Sequence, residues 1–126
     1  WDEAKQHYLL FWSTTILGRF PHTAMSNRRP ERNHRIYATT TKDFATFTPT
    51  KLLYDGGYNV IDANLIPAGD GTKDWLMFVK DETFAPVRQK NIRLVRGRSP
   101  EGPWDPTSRP STATSSRRAE RIGFNR

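Results

Sequence analysis

The stretch Asn59–Glu82, NVIDANLIPAGDGTKDWLMFVKDE, reads as two short β-strands joined across a Gly-Asp-Gly turn. Val60, Ile61, Ala63, Leu65 and Ile66 make the first strand apolar, and Trp75, Leu76, Met77, Phe78 and Val79 make the second aromatic and branched. Such residues suit the pleated, half-buried surface of a sheet, and Gly69, Asp70 and Gly71 supply hairpin punctuation. Asp62 stands inside the first strand. A carboxylate among apolar neighbours costs desolvation energy unless hydrogen bonds or a chemical role compensate. Asp62 is therefore the leading site candidate, and the expectation is a carboxylate held in an apolar setting.

Runs of the same kind recur on either side, at Tyr8–Thr14, His34–Thr40, Lys51–Tyr54 and Asn91–Val95, separated by Gly56-Gly57 and by prolines. All are of strand length, and no window sustains helical periodicity. The chain reads as all-β. Two segments also repeat: RIYATTTKDFATFTP from Arg35 and IRLVRGRSPEGPWDP from Ile92 superimpose at a constant offset of 92 − 35 = 57. Tyr37 falls on Leu94, Phe47 on Trp104 and Pro49 on Pro106. Upstream, YLLFWSTT from Tyr8 matches WLMFVKDE from Trp75 at an offset of 75 − 8 = 67, the extra residues fitting a longer loop at 18–33. A period of roughly 40 to 60 residues built from about four short strands points to propeller blades, small sheets that must stack to bury both faces. Trp12, Trp75, Phe78, Phe47 and Trp104, which recur at equivalent places, are expected to pack between blades rather than to serve as ligand platforms.

A chain of 126 residues, 35% hydrophobic and 12% aromatic, can bury a core. No apolar run approaches the roughly 20 residues that span a bilayer, so no membrane partner is expected. Position 1 is Trp, and the chain reads as an internal piece of a longer protein. The absence of cysteine removes disulfides, thiol nucleophiles and thiolate metal sites. No two of the three histidines have metal-ligand spacing, and there is no phosphate cradle, nucleotide fingerprint or serine elbow, so neither a metal nor a cofactor is expected. The net charge is +7, of which Asp105–Arg126 supplies five Arg less Asp105 and Glu120, 5 − 2 = +3. Arg28, Arg29, Arg32 and Arg35 form a second basic cluster. Both read as solvated surface, and nucleic acid is not the expected partner. The chain divides into 1–106, about two blades, and 107–126, a basic Ser/Thr/Arg-rich tail that is disordered or aberrant in reading frame.

The runs WDEAKQHYLLFWSTTILGRFP, NHRIYATTTKDFATFTPTKLLYDGGYNVIDA, FVKDE and KNIRLVRGRSPEGPW together resemble glycoside hydrolase family 43, the arabinosidase, arabinanase and xylosidase group of five-bladed β-propellers, over residues 1–106. The resemblance implies an inverting hydrolase of arabinofuranosyl or xylosyl linkages in plant polysaccharide, secreted from the cell. Three carboxylates around the propeller axis are implied: a general base, a general acid, and an Asp that tunes the acid. Asp62, in Val-Ile-Asp-Ala, matches the tuning Asp. The base would lie before Trp1 and the acid after the blade that ends near Trp104, so this piece alone is expected to be inactive. Glu101 stands in Glu-Gly-Pro, a string that also surrounds the family's acid, but it aligns with the turn KDFATFTP and reads as a turn residue, as does Asp43.

Inversion needs a protonated carboxylic acid and an ionised carboxylate about 6.5 to 9.5 Å apart, with water between. A third carboxylate beside the acid raises its pKa, because like charges at close range resist joint ionisation. Around Asp62 the substrate-binding candidates are Arg19 and Phe20 of the loop at 18–21, His34 at a strand mouth, and Lys80 and Glu82 at the strand exit KDE. The plainer readings are a strand-end carboxylate for Asp62, an ordinary hairpin loop for Arg19 and Phe20, and a polar strand exit for KDE. A non-catalytic carbohydrate-binding propeller module is the alternative function, and a basic nucleic-acid binder a weaker third.

Overall fold

The computed structural model describes residues 1–21 and 29–105. The tail at 107–126, Arg28 and His22 lie outside them. Among the described residues six strands form: β1 (Tyr8–Thr14), β2 (Arg35–Thr41), β3 (Lys51–Tyr54), β4 (Val60–Pro67), β5 (Trp75–Asp81) and β6 (Ile92–Gly97). They make two antiparallel three-stranded sheets, ordered β1-β2-β3 and β4-β5-β6. Among the described residues the fold is all-β, with a single 3-10 turn at Pro30–Arg32. No helix among the described residues is long and apolar enough to cross a membrane.

The two sheets pack face to face on one core. The first contributes Ile36, Ala38, Leu53 and Tyr54, the second Val60, Met77, Val79 and Val95, with Tyr58 and Trp104 completing the cluster. Alternation explains the choice. Leu9 and Phe11 of β1, opposite Thr40 and Ala38, lie against this core, whereas Tyr8 and Trp12 point to the other face. That other face is not polar: Tyr8 and Trp12 are exposed there around the buried ring of Tyr37. The second sheet does the same, with Ile66 and Ile92 exposed and Phe78 opposite Leu94 between them. Each sheet thus carries apolar side chains on both faces, and one face of each is covered by the other sheet.

The repeat maps β1 on β5 and β2 on β6, while β4 has no counterpart among the described residues. Where the units should close alike, they part by one residue. Thr48 donates its amide to Thr40, but the aligned Asp105 donates to Arg96, one residue earlier than Gly97, the counterpart of Thr40. A one-residue slip turns side chains to the opposite face. Trp104 therefore lies in the core while its counterpart Phe47 is 53% exposed, so the two repeats do not place this aromatic alike, and Trp12 stands on the open face of its sheet. Gly97 is what admits Trp104: a Cβ there would stand 2.5 Å from the indole ring. Thr40 instead fills that space with a hydroxyl 3.1 Å from Thr48 Oγ1.

Gly97→Ala should cost about 1–3 kcal/mol, the usual penalty for overpacking a filled core. Urea unfolding followed by tryptophan fluorescence measures it. An unchanged midpoint would mean that the indole is not seated on the β6 backbone.

Candidate functional site

The ladder between β4 and β5 runs Ile61↔Lys80 and resumes at Asn64↔Phe78, so Asp62 and Ala63 together face Val79. This is a β-bulge, and it reverses the period-2 expectation. Val60 is buried, Ala63 and Leu65 return to the core three and five residues later, and Asp62 is turned out between them with a φ of 54°. Its side chain is 67% exposed. The expected apolar setting for Asp62 is therefore corrected: the carboxylate keeps its water because the bulge rotates it away from Val60 and Leu65. Asp tolerates the left-handed region better than most side chains, so the strain is modest. Bulges of this kind commonly re-aim a side chain beside a functional site.

Three of the other candidates meet Asp62 at the same rim. Lys80 Nζ lies 3.8 Å from Asp62 Oδ2 and 2.9 Å from Glu82 Oε1, and Lys90 Nζ is 3.3 Å from Glu82. The hydrogen bond from Lys80, helped by Lys90, holds the Glu82 carboxyl below the ordinary carboxylate range against the opposing effect of burial. Glu82 in turn raises the pKa of Lys80. His34 joins through Asn59, whose Oδ1 accepts the His34 amide at 2.8 Å and sits 3.1 Å from His34 Nδ1. The Asn59 carbonyl accepts the Glu82 amide at 2.9 Å. Arg32, His34, Asn59, Ile61 and Glu82 line a recess of about 180 Å³. Asn59 ties the mouth of β2 to the end of β5. Sequence reasoning missed it, although a side-chain amide at a strand entrance is a common backbone partner.

Alternation splits the strand exit KDE. Lys80 and Glu82 reach the rim, but Asp81 is fully buried, bonded by Arg93 Nη2 at 2.6 Å and by the Thr83 amide at 2.8 Å. Arg93 also lies over the Tyr58 ring, 4.3 Å from its centroid. This is a structural ion pair, with the buried charge fully partnered.

Arg19 and Phe20 have their ring and guanidinium contacts elsewhere. Arg19 lies over Tyr37 at 5.5 Å and over Phe20 at 5.8 Å, and Phe20 also carries Arg35 at 4.7 Å. Asn33 holds the loop by donating to the Pro21 carbonyl at 3.1 Å. Arg35 is itself buried, paired with Asp55 and bonded to Asn33 Oδ1. Its place in a solvated basic cluster is corrected: alternation and three acceptors draw it inward. Arg29 is exposed beside Glu31.

Glu101 is an inter-sheet tie. Lys5 Nζ stands 2.7 Å from Oε1, His7 Nε2 3.1 Å from the same oxygen, and Lys51 Nζ pairs with Oε2. Burial opposes ionisation, but the two ammonium groups prevail and bring the carboxyl from 4.5 to about 2. A general acid needs the opposite shift. Asp2, His7 and Glu101 offer ligand atoms within 4.8 Å of one another, the arrangement a metal ion could use, but Lys5 and Lys51 already neutralise Glu101. Asp43 caps its own turn, accepting the amides of Ala45 and Thr46, which brings its carboxyl to about 2.

Since the folded pKa of Glu101 lies below its unfolded value, the stabilisation is present above pH 4.5 and is lost as pH falls toward 2. Glu101→Gln should lower stability at pH 7 by about 1–2 kcal/mol, and the gap to the parent should close in that acid window. Denaturant titrations at pH 7 and pH 3 decide it, and a gap independent of pH would contradict the tie.

A family model described as a probable glycosyl hydrolase domain, related to family 43, matches residues 1–121. No curated protein and no solved structure matches the chain.

Proposed function

We propose, because this chain belongs to the family of probable glycosyl hydrolase domains, that it forms about two blades of a propeller whose inner strand β4 displays Asp62 toward a glycoside substrate. The observation that carries this is the bulge, which turns one carboxylate out of an apolar strand and sets it beside Lys80 and Glu82. Two sheets that carry apolar side chains on both faces support the blade reading, since each leaves a face for a further sheet to cover. A rim of alternating carboxylate, ammonium and imidazole suits sugar hydroxyls, which both donate and accept hydrogen bonds.

In this reading Asp62 is the pKa-tuning carboxylate of an inverting hydrolase of arabinofuranosyl or xylosyl linkages, acting on plant polysaccharide outside the cell. Lys80, Glu82 and His34 bind substrate, whereas Arg19 and Phe20 are taken up by Tyr37 and Arg35 and form no part of this rim. The acid and base lie beyond the described residues. Asp43, Asp70, Glu82 and Glu101 all have their carboxyls held low, so none of these four keeps a proton for a leaving group. That observation also favours a second reading, in which the chain by itself binds carbohydrate without cleaving it.

The chain alone should release no nitrophenol from aryl arabinofuranosides or xylosides. In the protein extended through its neighbouring blades, Asp62→Asn should lower kcat by about 100-fold or more with KM little changed. Turnover by the isolated chain would contradict the missing acid and base. A shift confined to KM in the extended variant would leave Asp62 a binding residue only.

A further inference from the structure

A second groove lies between the amino-terminal turn and the β4–β5 hairpin, at the end of β4 remote from Asp62. It encloses about 490 Å³, within the roughly 300 to 1,000 Å³ typical of ligand clefts. Trp1 and Trp75 line it, with Pro67 and Pro100. Trp1 is 52% exposed yet held, its ring 4.8 Å from that of Tyr8, which is backed in turn by Phe44 at 4.5 Å. An exposed indole held in this way suits the C–H face of a sugar ring, with Trp75, packed against the core, lining the groove beside it.

The charges decide what kind of sugar. Lys73 and Arg98 line the same groove, are exposed, and have no side-chain hydrogen bond or ion pair among the described residues. Two carboxylates share the lining: Asp2 is buried, its Oδ1 accepting the amides of Ala4 and Lys5, and Glu3 accepts Gln6 Nε2 at 3.1 Å. Arg96, by contrast, is taken up by Asp70 and Asp74. Two unmatched cations beside two indoles call for a ligand that carries both a ring face and a sparse negative charge. We infer that this groove is a second carbohydrate site, selective for saccharides bearing carboxylate groups, such as uronic acid units. An arginine fork takes a carboxylate through paired hydrogen bonds, and a lysine adds a point charge. A nucleic acid fits less well, since its dense phosphates need more cations than these.

The groove is separate from the rim. From Asp62 to Pro67 is five residues of strand, roughly 16 Å at about 3.3 Å each, more than one sugar unit spans. Its test therefore reads binding, not hydrolysis, and its outcome does not depend on the role given to Asp62.

Calorimetry and tryptophan quenching on the full chain would compare trigalacturonate with xylotriose. Trigalacturonate should bind at least tenfold more tightly and weaken with added salt. Lys73→Ala combined with Arg98→Ala should cost at least tenfold while the circular dichroism spectrum is unchanged, Trp1→Ala should weaken binding and quenching together, and Lys42→Ala, at an exposed lysine outside both the groove and the rim, should leave both intact. Equal binding of the neutral trisaccharide, full affinity in the double variant, or equal competition by an oligonucleotide of the same charge would overturn the inference.

Discussion

Face-to-face burial of two small sheets is the constraint on which the rest of this protein depends. Ile36 and Ala38 of β2 meet Val60, Met77, Val79 and Val95 in one apolar cluster, and neither sheet has enough strands to bury such a face alone. The rim exists only because of that docking. His34 enters from the first sheet, Asn59, Asp62 and Glu82 come from the second, and the bond from the His34 amide to Asn59 Oδ1 spans the two. Glu101 repeats the tie at a second point, gathering Lys5, His7 and Lys51 onto one carboxylate. The two ties differ in kind. One is a set of short neutral hydrogen bonds to a buried amide, indifferent to salt, and the other is a cluster of half-exposed charges that acid dissolves.

A single extra residue in β4 then converts a structural strand into a presenting one. Without the bulge, strict alternation would put Asp62 on the same side as Val60, in the apolar cluster, at a desolvation cost the sheet could not offset. With it, the strand still delivers Val60, Ala63 and Leu65 to the core and gives up only one ladder position. The same eight residues in this way fill the core and expose one carboxylate, at the cost of one left-handed backbone conformation.

The strands were legible because their residues are β-branched and aromatic and their breaks are Gly, Asp and Pro, and the six runs read from composition coincide with β1 to β6. The meeting of Lys80, Glu82 and Asp62 was legible for the same reason, since a hairpin brings the start of one strand beside the end of the next. What failed did so for identifiable physical causes. Periodicity assumes an unbroken ladder, and the bulge broke it, so the burial of Asp62 was misjudged. The equivalence of Phe47 and Trp104 failed on a one-residue slip that Thr40 and Gly97 impose differently. Asn59, Asp81 and Arg35 look like surface residues in a list of polar side chains, and only the tertiary fold shows that each is buried with its partners. Arg19 and Phe20 sit in a loop whose course is set by Asn33 and Tyr37, contacts that local sequence does not encode.

Native-state amide hydrogen exchange tests the docking of the two sheets most directly, because it resolves whether they open together. The amides of Ala38 in β2 and Val79 in β5 should exchange with the same free energy and the same denaturant dependence, and the His34 amide should lose protection only when they do. If one sheet opened at a small fraction of the energy of the other, with the His34 amide following it alone, the shared core would not be what holds the rim together.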